Sequence, residues 1–194
     1  MDVADRIRRE RAVVVLRDVV AVVDLVDVVV GAGLSVVEIT LDRESAMAEL
    51  QSLAGRADVC VLAGTVRTPE QVDEAVAAGA AGIVCPAFSG AVVARAHQHA
   101  VPVIPGAFTP TEIEAAWRAG AALVKLFPAR LGGPQYVADV LKPLADVPLL
   151  CTGGVTAENA GEYLAAGAAA VGVSFRDPSG AADDATLLAA VVRP

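Results

Sequence analysis

Eight short β-rich runs alternate with helical stretches along almost the whole chain. The runs are rich in valine, leucine and isoleucine, and the stretches between them are long enough for about three helical turns. The predicted strands are Val13–Leu16, Ser35–Thr40, Val59–Ala63, Gly82–Cys85, Val101–Ile104, Leu123–Leu126, Pro148–Cys151 and Ala170–Val173. This alternation predicts a parallel sheet with helices on its faces, either closed into a barrel or open and doubly wound.

A repeated Ala-Gly pair favours the barrel. The pairs are Ala32-Gly33, Ala78-Gly79, Ala119-Gly120 and Ala166-Gly167. Successive glycines are 46, 41 and 47 residues apart, which is two strand–helix units each time, and each is placed to end a helix in the left-handed conformation. No glycine-rich dinucleotide motif follows the first strand, as an open nucleotide-binding sheet would favour. We therefore predict an α/β fold, a (β/α)₈ TIM barrel of minimal length, as one domain over residues 1–194.

Helix-start signals support the predicted alternation. Threonine precedes an acidic residue within the next three positions at Thr68, Thr109 and Thr156, and proline follows the first two. A threonine that accepts a hydrogen bond from the first turn is typical of a helix N-terminus. These three positions predict the starts of three barrel helices.

The charge balance and the apolar pattern exclude some partners. The net charge of −8 argues against a nucleic-acid partner, because binding to phosphate backbones needs a basic surface. Residues 1–11 are mostly charged, which is not typical of an export signal. The most apolar helix candidate, 19–30, is interrupted by Asp24 and Asp27, so we predict no membrane span.

The cysteines and histidines show no pattern of chemical use. Cys60, Cys85 and Cys151 lie in separate apolar runs without metal-ligand spacing, which predicts reduced core thiols in a cytoplasmic protein and no metal site. His97 and His99 are two positions apart in a predicted helix and point to different faces. We assign neither histidine a role.

Two charged residues lie where a core residue is expected. Lys125 is inside the sixth predicted strand, and Glu38 is inside the second. Each follows the glycine of its repeat by five residues, at positions that Val84 and Gly172 occupy on the fourth and eighth strands. Because alternate strands supply the inward side chains of one barrel layer, Glu38 and Lys125 are predicted to face the same cavity near the carboxyl-terminal mouth. The alternative is a buried ion pair retained for structural specificity.

Lysine and glutamate together fit Schiff-base chemistry. An amine attacks a ketone only when it is unprotonated, and an apolar barrel disfavours the charged ammonium. The resulting iminium withdraws electrons from the adjacent carbon, so that a carbon–carbon bond can break or form there. Glu38 would carry protons during carbinolamine formation and at the aldol hydroxyl, directly or through a water.

Five blocks at the predicted strand ends resemble the 2-keto-3-deoxy-6-phosphogluconate aldolase family. They are Val36–Leu41, Ala63–Val66, Val103–Gly106, Val124–Ala129 and Cys151–Val155, and the resemblance covers residues 12–175. It implies Lys125 as the Schiff-base lysine and Glu38 as the general acid and base. It also implies that Thr65 and the Pro86 turn form part of the pyruvate pocket, and we assign Thr40 and Phe127 from the same blocks to substrate binding. The homotrimer and the absence of a metal or other cofactor are likewise implied by the resemblance.

Two loops predict an anion site. Thr152-Gly153-Gly154 follows the seventh predicted strand, and Ser174 follows the eighth. These two loops hold phosphate in many barrels through backbone N–H groups, and glycine lets the backbone approach an anion closely. The alternative is an ordinary tight turn after each strand.

One position departs from the family pattern. Many members have arginine two residues after the threonine of the second-strand block, where this chain has Asp42, followed by Arg43. Aspartate would repel a substrate carboxylate, and Arg17 at the end of the first strand is the candidate cation, unless it is a plain surface arginine. Gly133–Tyr136 resembles the phosphogalactonate-cleaving branch.

The sequence therefore predicts an aldehyde-lyase that forms a lysine Schiff base with pyruvate. Its predicted substrate is a small molecule, a 2-keto-3-deoxy-6-phospho sugar acid, which it cleaves to pyruvate and glyceraldehyde 3-phosphate or forms in the reverse condensation. One alternative is a phosphate-binding barrel isomerase or synthase, which needs no lysine on the sixth strand. Another is a non-catalytic barrel that binds a phosphorylated metabolite.

Overall fold

Helices and strands alternate in the computed structural model, which describes residues 2–19, 21–175 and 178–193. Residue 20, within the apolar helix candidate 19–30, lies outside the described residues. The strands are β1 Ala12–Leu16, β2 Val36–Thr40, β3 Cys60–Gly64, β4 Gly82–Val84, β5 Val103–Ile104, β6 Gly106–Ala107, β7 Val124–Leu126, β8 Leu149–Thr152 and β9 Ala170–Phe175. The helices are α1 Val3–Glu10, α2 Val22–Gly31, α3 Ala46–Leu53, α4 Pro69–Ala77, α5 Gly90–Gln98, α6 Pro110–Arg118, α7 Gly133–Leu141, α8 Ala160–Ala165 and α9 Pro178–Val192, with a 3₁₀ helix, η1, at Ala129–Leu131.

All strand pairs are parallel, and the sheet closes into the predicted barrel. The order is β5-β4-β3-β2-β1-β9-β8-β7-β6, and its two ends, β5 and β6, are halves of one strand interrupted at Pro105. Proline has no N–H to donate, but its carbonyl accepts a hydrogen bond from the Lys125 N–H at 2.9 Å. The fifth predicted strand therefore continues past Ile104, and the predicted strands six, seven and eight are β7, β8 and β9.

Two of the three predicted capping signals mark the start of a helix. Thr68 and Thr109 each form a capping box, with Gln71 and Glu112 respectively. At Thr156 the prediction was early, because the assigned helix α8 begins at Ala160. The Thr156 hydroxyl instead accepts from the Asn159 N–H at 3.4 Å in a preceding turn.

The glycines of the Ala-Gly repeat all adopt positive φ. The angles are +87° at Gly33, +92° at Gly79, +89° at Gly120 and +105° at Gly167. This left-handed conformation ends each helix and turns the chain into the next strand, as predicted. The repeat therefore sets a common register for β2, β4, β7 and β9.

Apolar side chains form two layers, one outside the strands and one inside them. The outer layer lies between the barrel and its helices. The inner layer is smaller and includes Val36, Val84, Leu123 and Leu150, with Ile7 of α1 packed into the same cluster. Since side chains alternate along a strand, the positions two residues beyond Val36 and Leu123 also point inward, and these are Glu38 and Lys125.

The described residues contain no helix long and apolar enough to cross a membrane. The three cysteines are free and buried, as predicted. Their burial places the thiols among apolar side chains of the two layers.

Candidate active site

Lys125 and Glu38 meet inside the barrel. The Lys125 ammonium Nζ lies 3.3 Å from Glu38 Oε1 and donates a hydrogen bond to it. Both side chains are buried, with 7% of the lysine side chain and 1% of the glutamate side chain exposed. The two residues are 87 positions apart in the chain, and the common register of β2 and β7 brings them together.

Glycines on β3 and β9 make room for two buried polar side chains, Glu38 and Thr152. Gly64 faces Glu38, and a Cβ added to Gly64 would lie 2.7 Å from the Glu38 carboxyl carbon. A Cβ at Gly172 would lie 2.9 Å from the Thr152 side chain. No larger side chain is tolerated at either position without displacing a candidate site residue.

One oxygen of Glu38 is left without a partner. Oε1 accepts from Lys125, but Oε2 is buried and has no hydrogen-bond partner among the described residues. Buried carboxylate oxygens are almost always hydrogen-bonded, because leaving one unpaired is costly. An oxygen in this state is suited to accept a proton from a bound substrate hydroxyl or water.

An aromatic ring and a buried thiol lie close to Lys125. Phe127 places its ring centroid 5.6 Å from Nζ. Burial raises the pKa of the Cys85 thiol to about 12, although the Lys125 charge opposes this shift. The thiol therefore stays protonated near neutral pH and does not compete as a nucleophile.

The predicted substrate-binding residues share one end of the barrel. Each lies at or next to the carboxyl end of a strand, where TIM barrels carry their active sites. They are Arg17, Thr40, Thr65, Pro86, Phe127, Thr152, Gly153, Gly154 and Ser174. Thr40 and Thr152 are buried, whereas Phe127 and Ser174 are exposed at the mouth.

Arg17, Thr65 and Asp42 form a polar cluster at this mouth. Arg17 donates a hydrogen bond from Nη2 to Thr65 Oγ1 at 3.1 Å, and its Nη1 lies 3.3 Å from Asp42 Oδ2. Thr65 has a φ of +62°, which β-branched residues rarely adopt and which is found mainly where function requires it. Asp42 is therefore ion-paired to a cation and is not a free negative charge.

Arg43 does not replace the family arginine. Its Nη1 donates to the Val19 carbonyl at 3.0 Å and to Glu49 Oε1 at 2.7 Å. The guanidinium of Arg43 therefore anchors the loop that follows β2 to helix α3. Arg17 is the arginine that the structure brings to Thr65.

The turn after β8 has the conformation expected of a backbone anion site. Gly153 and Gly154 have φ angles of +89° and +85°, which glycine adopts without strain. A Cβ at Gly153 would lie 2.8 Å from the Phe127 ring. The turn is thus packed against the segment that follows Lys125.

Two residues of this site were missed by the sequence reasoning. Gly64 lies within the Ala63–Val66 block, but only the packing shows that its missing side chain admits Glu38. Arg130 follows the Val124–Ala129 block, and its N–H donates to the Gly153 carbonyl at 3.0 Å. The signal that could have identified Arg130 is a cation directly after the strand of the candidate nucleophile.

The described ranges contain no group of three or more His, Cys, Asp or Glu side chains that could hold a metal ion. The groups that converge are instead an amine, a carboxylate with a free oxygen, an arginine and a glycine turn. Together they can attack a ketone, move protons and bind anions at two places.

Comparison with known proteins agrees with this geometry. Residues 3–185 match the family described as KDPG and KHG aldolase. A 2-dehydro-3-deoxy-phosphogluconate aldolase from Treponema pallidum (strain Nichols) is 39% identical over 155 residues, which cover 79% of this chain and 74% of that protein. A solved structure described as native KDPGal is 31% identical, with a TM-score of 0.87 over 93% of both chains.

A second solved structure bears on the chemistry. It is a KDPG aldolase from Legionella pneumophila with pyruvate captured at low pH as a covalent carbinolamine intermediate. It is 25% identical, with a TM-score of 0.84 over 97% of this chain and 95% of that chain. From the family match, the identity of its relatives and the shared fold, we conclude that this chain belongs to the KDPG and KHG aldolase family.

Proposed function

We propose that this chain is a class I aldolase that cleaves a 2-keto-3-deoxy-6-phospho sugar acid to pyruvate and glyceraldehyde 3-phosphate, or catalyses the reverse condensation. Lys125 is the Schiff-base lysine, and Glu38 is the general acid and base. The observation that carries this proposal is the buried 3.3 Å contact between the two side chains at the mouth of the barrel. The family relationship favours this function over an isomerase, a synthase or a non-catalytic barrel.

The cleavage reaction begins with the amine of Lys125. Transfer of a proton from Lys125 to Glu38 across their contact leaves a neutral amine, which adds to the C2 ketone and forms a carbinolamine. Glu38 returns the proton to the carbinolamine hydroxyl, which leaves as water, and an iminium remains. Each transfer is short because donor and acceptor are already within hydrogen-bond distance.

Carbon–carbon cleavage then uses Glu38 as the base. Its carboxylate takes the proton of the C4 hydroxyl, the C3–C4 electron pair moves to the iminium, and the aldehyde leaves while an enamine remains on Lys125. Protonation of the enamine at C3 and hydrolysis of the pyruvate iminium free the lysine. Glu38 Oε2, which has no partner among the described residues, supplies the acceptor for the hydroxyl proton.

The two ends of the substrate are held by different residues. At the pyruvate end, Arg17, Thr40, Thr65, Pro86, Phe127 and Thr152 form the pocket, in which Arg17 supplies the cation for the carboxylate. At the other end, the N–H groups around Gly153 and Gly154, together with Ser174, bind the phosphate. The positive φ angles of the two glycines support this assignment.

The phosphate site is tested by the substitution Gly154→Asp, with Gly154→Asn as the matched control. Both variants carry the same backbone strain at φ +85°, but only aspartate brings a negative charge against the phosphate. We expect Gly154→Asp to raise KM for the phosphorylated substrate by about tenfold or more relative to Gly154→Asn. Pyruvate trapping at Lys125 should be retained in both.

The condensation direction decides the substrate class. Binding energy at the phosphate end should make kcat/KM for glyceraldehyde 3-phosphate exceed that for glyceraldehyde in the wild-type protein. Equal values for the two aldehydes would mean that the loops are ordinary turns and that the substrate is a non-phosphorylated keto acid.

We also propose that the protein is a cytoplasmic homotrimer, as the family resemblance implies. Three free cysteines suit a reducing compartment. Sedimentation equilibrium would distinguish a trimer of the 19.6 kDa chain from a monomer.

A further inference from the structure

Arg130 is attached to the glycine turn that follows β8. It lies in η1, directly after the strand that carries Lys125, and its backbone N–H donates to the Gly153 carbonyl at 3.0 Å. Its side chain is exposed at the mouth of the barrel. The main chain of Arg130 therefore has a fixed place beside the proposed phosphate site.

The side chain of Arg130 crosses the turn itself. A Cβ added to Gly154 would lie 2.6 Å from Arg130 Cβ and 2.8 Å from Arg130 Cδ. The aliphatic part of the arginine thus occupies the space that the glycine leaves open. The base of the Arg130 side chain is therefore packed against the turn.

The guanidinium of Arg130 is unpaired within the described part of the chain. Among the described residues it makes no ion pair and no hydrogen bond, whereas Arg17, Lys125 and Arg43 are each paired with a carboxylate. Arg17 contacts Asp42 at 3.3 Å, and Lys125 contacts Glu38 at the same distance. Arg43 is bound to Glu49.

Arg67 is the other arginine at this mouth for which the described residues provide no carboxylate partner, but it lies on the wrong side. It follows β3, and three strands, β2, β1 and β9, separate β3 from β8 in the sheet order. In a barrel of eight strands this is the opposite wall. Arg130 is thus the described arginine that combines a free guanidinium with direct contact to the glycine turn.

We propose that Arg130 is a substrate-binding residue that contacts the phosphate group of the substrate at the Gly153–Gly154 turn. This inference rests on the proposed function, because it requires a phosphorylated substrate. The backbone N–H groups and the Ser174 hydroxyl carry no positive charge to compensate that of a phosphate dianion. The net charge of the chain is −8, so an anionic substrate needs a local cation. A planar guanidinium pairs with two phosphate oxygens at once, and its stem already lies on the turn.

If Arg130 binds the phosphate, its loss should lower kcat/KM for the phosphorylated aldehyde only. Arg130→Met keeps an unbranched stem over Gly154 and removes the charge. We expect it to lower kcat/KM for condensation of pyruvate with glyceraldehyde 3-phosphate by roughly 10- to 100-fold, mainly through KM, since a charged hydrogen-bond pair is lost. The value with unphosphorylated glyceraldehyde should be unchanged within about twofold, because the reacting end is bound elsewhere.

Two further variants separate local contact from general electrostatics. Arg130→Lys keeps the charge without the bidentate geometry and should give an intermediate loss. Arg67→Met removes the same charge from the opposite wall and should change neither aldehyde's kcat/KM by more than about twofold. Thermal unfolding of each variant shows that the fold is intact.

The aldehyde preferences of the wild type and of Arg130→Met test the role of Arg130 separately from the proposed function. If the wild type strongly prefers glyceraldehyde 3-phosphate and Arg130→Met keeps that preference, Arg130 does not bind the phosphate, while the function stands. An equal loss with both aldehydes would mean that Arg130 acts through the fold and would also overturn the inference. If the wild type itself shows no preference, both the phosphate part of the function and the role of Arg130 are wrong.

Discussion

Replacing Lys125 with methionine is expected to abolish aldolase activity. The variant keeps the length and much of the volume of the side chain, but it has no amine to form the carbinolamine. Lys142, the other lysine in the chain, is largely exposed on the barrel exterior and pairs with Asp139, so it cannot substitute. Turnover should fall to the background rate in a coupled assay of glyceraldehyde 3-phosphate release.

The same variant is expected to lose stability for a separate reason. Lys125→Met leaves the Glu38 carboxylate, which is 1% exposed, without its counter-ion. Removing one partner of a buried ion pair costs about 3 kcal/mol or more, because the remaining charge is desolvated and unpaired. The double variant Lys125→Met/Glu38→Gln should recover much of the free energy of unfolding in a urea titration but none of the activity. Activity that returned along with stability would mean that Lys125 has only a structural role.

Replacing Glu38 with glutamine is expected to slow turnover by roughly 100-fold or more, the usual scale for lost general acid–base catalysis. Glutamine fits the space beside Gly64 and still offers an oxygen to Lys125, so the fold should be retained. It cannot take a proton from the carbinolamine or from the C4 hydroxyl. Steady-state kinetics in the cleavage direction would measure the loss in kcat.

A matched control is available in Glu38→Asp, which keeps the carboxylate but withdraws it from Lys125 by one methylene. It should retain more activity than Glu38→Gln, since a bridging water can restore proton transfer. Wild-type rates in well-folded Glu38→Gln would show that another group carries the protons.

The same feature of the sequence predicted both the barrel and the contact between Lys125 and Glu38. The Ala-Gly repeat fixes where β2, β4, β7 and β9 begin, and a fixed start determines which side chains point inward. Counting five residues from Gly33 and Gly120 was therefore enough to predict that Glu38 and Lys125 meet. The capping signals at Thr68 and Thr109 succeeded because they act within one helical turn.

The sequence could not predict contacts that depend on side-chain geometry between distant loops. Asp42 was expected to repel the substrate, but its pairing with Arg17 depends on how two neighbouring strands end. The position of Arg130 was not predicted, because its packing on Gly154 connects segments on either side of α7. The interruption at Pro105 was also missed. In a sequence, a proline after a run of β-formers indicates the end of a strand, and only the structure shows that its carbonyl accepts a hydrogen bond from Lys125.

Covalent trapping with pyruvate and borohydride, followed by peptide mass mapping, identifies the lysine that forms the Schiff base. Borohydride reduces a Schiff base to a stable secondary amine, so the modified lysine records where the iminium formed. We expect modification of the peptide that contains Lys125, none at Lys142, and no reaction in Lys125→Met. Labelling at Lys142 alone, or at neither lysine, would contradict the assignment of Lys125 as the Schiff-base residue.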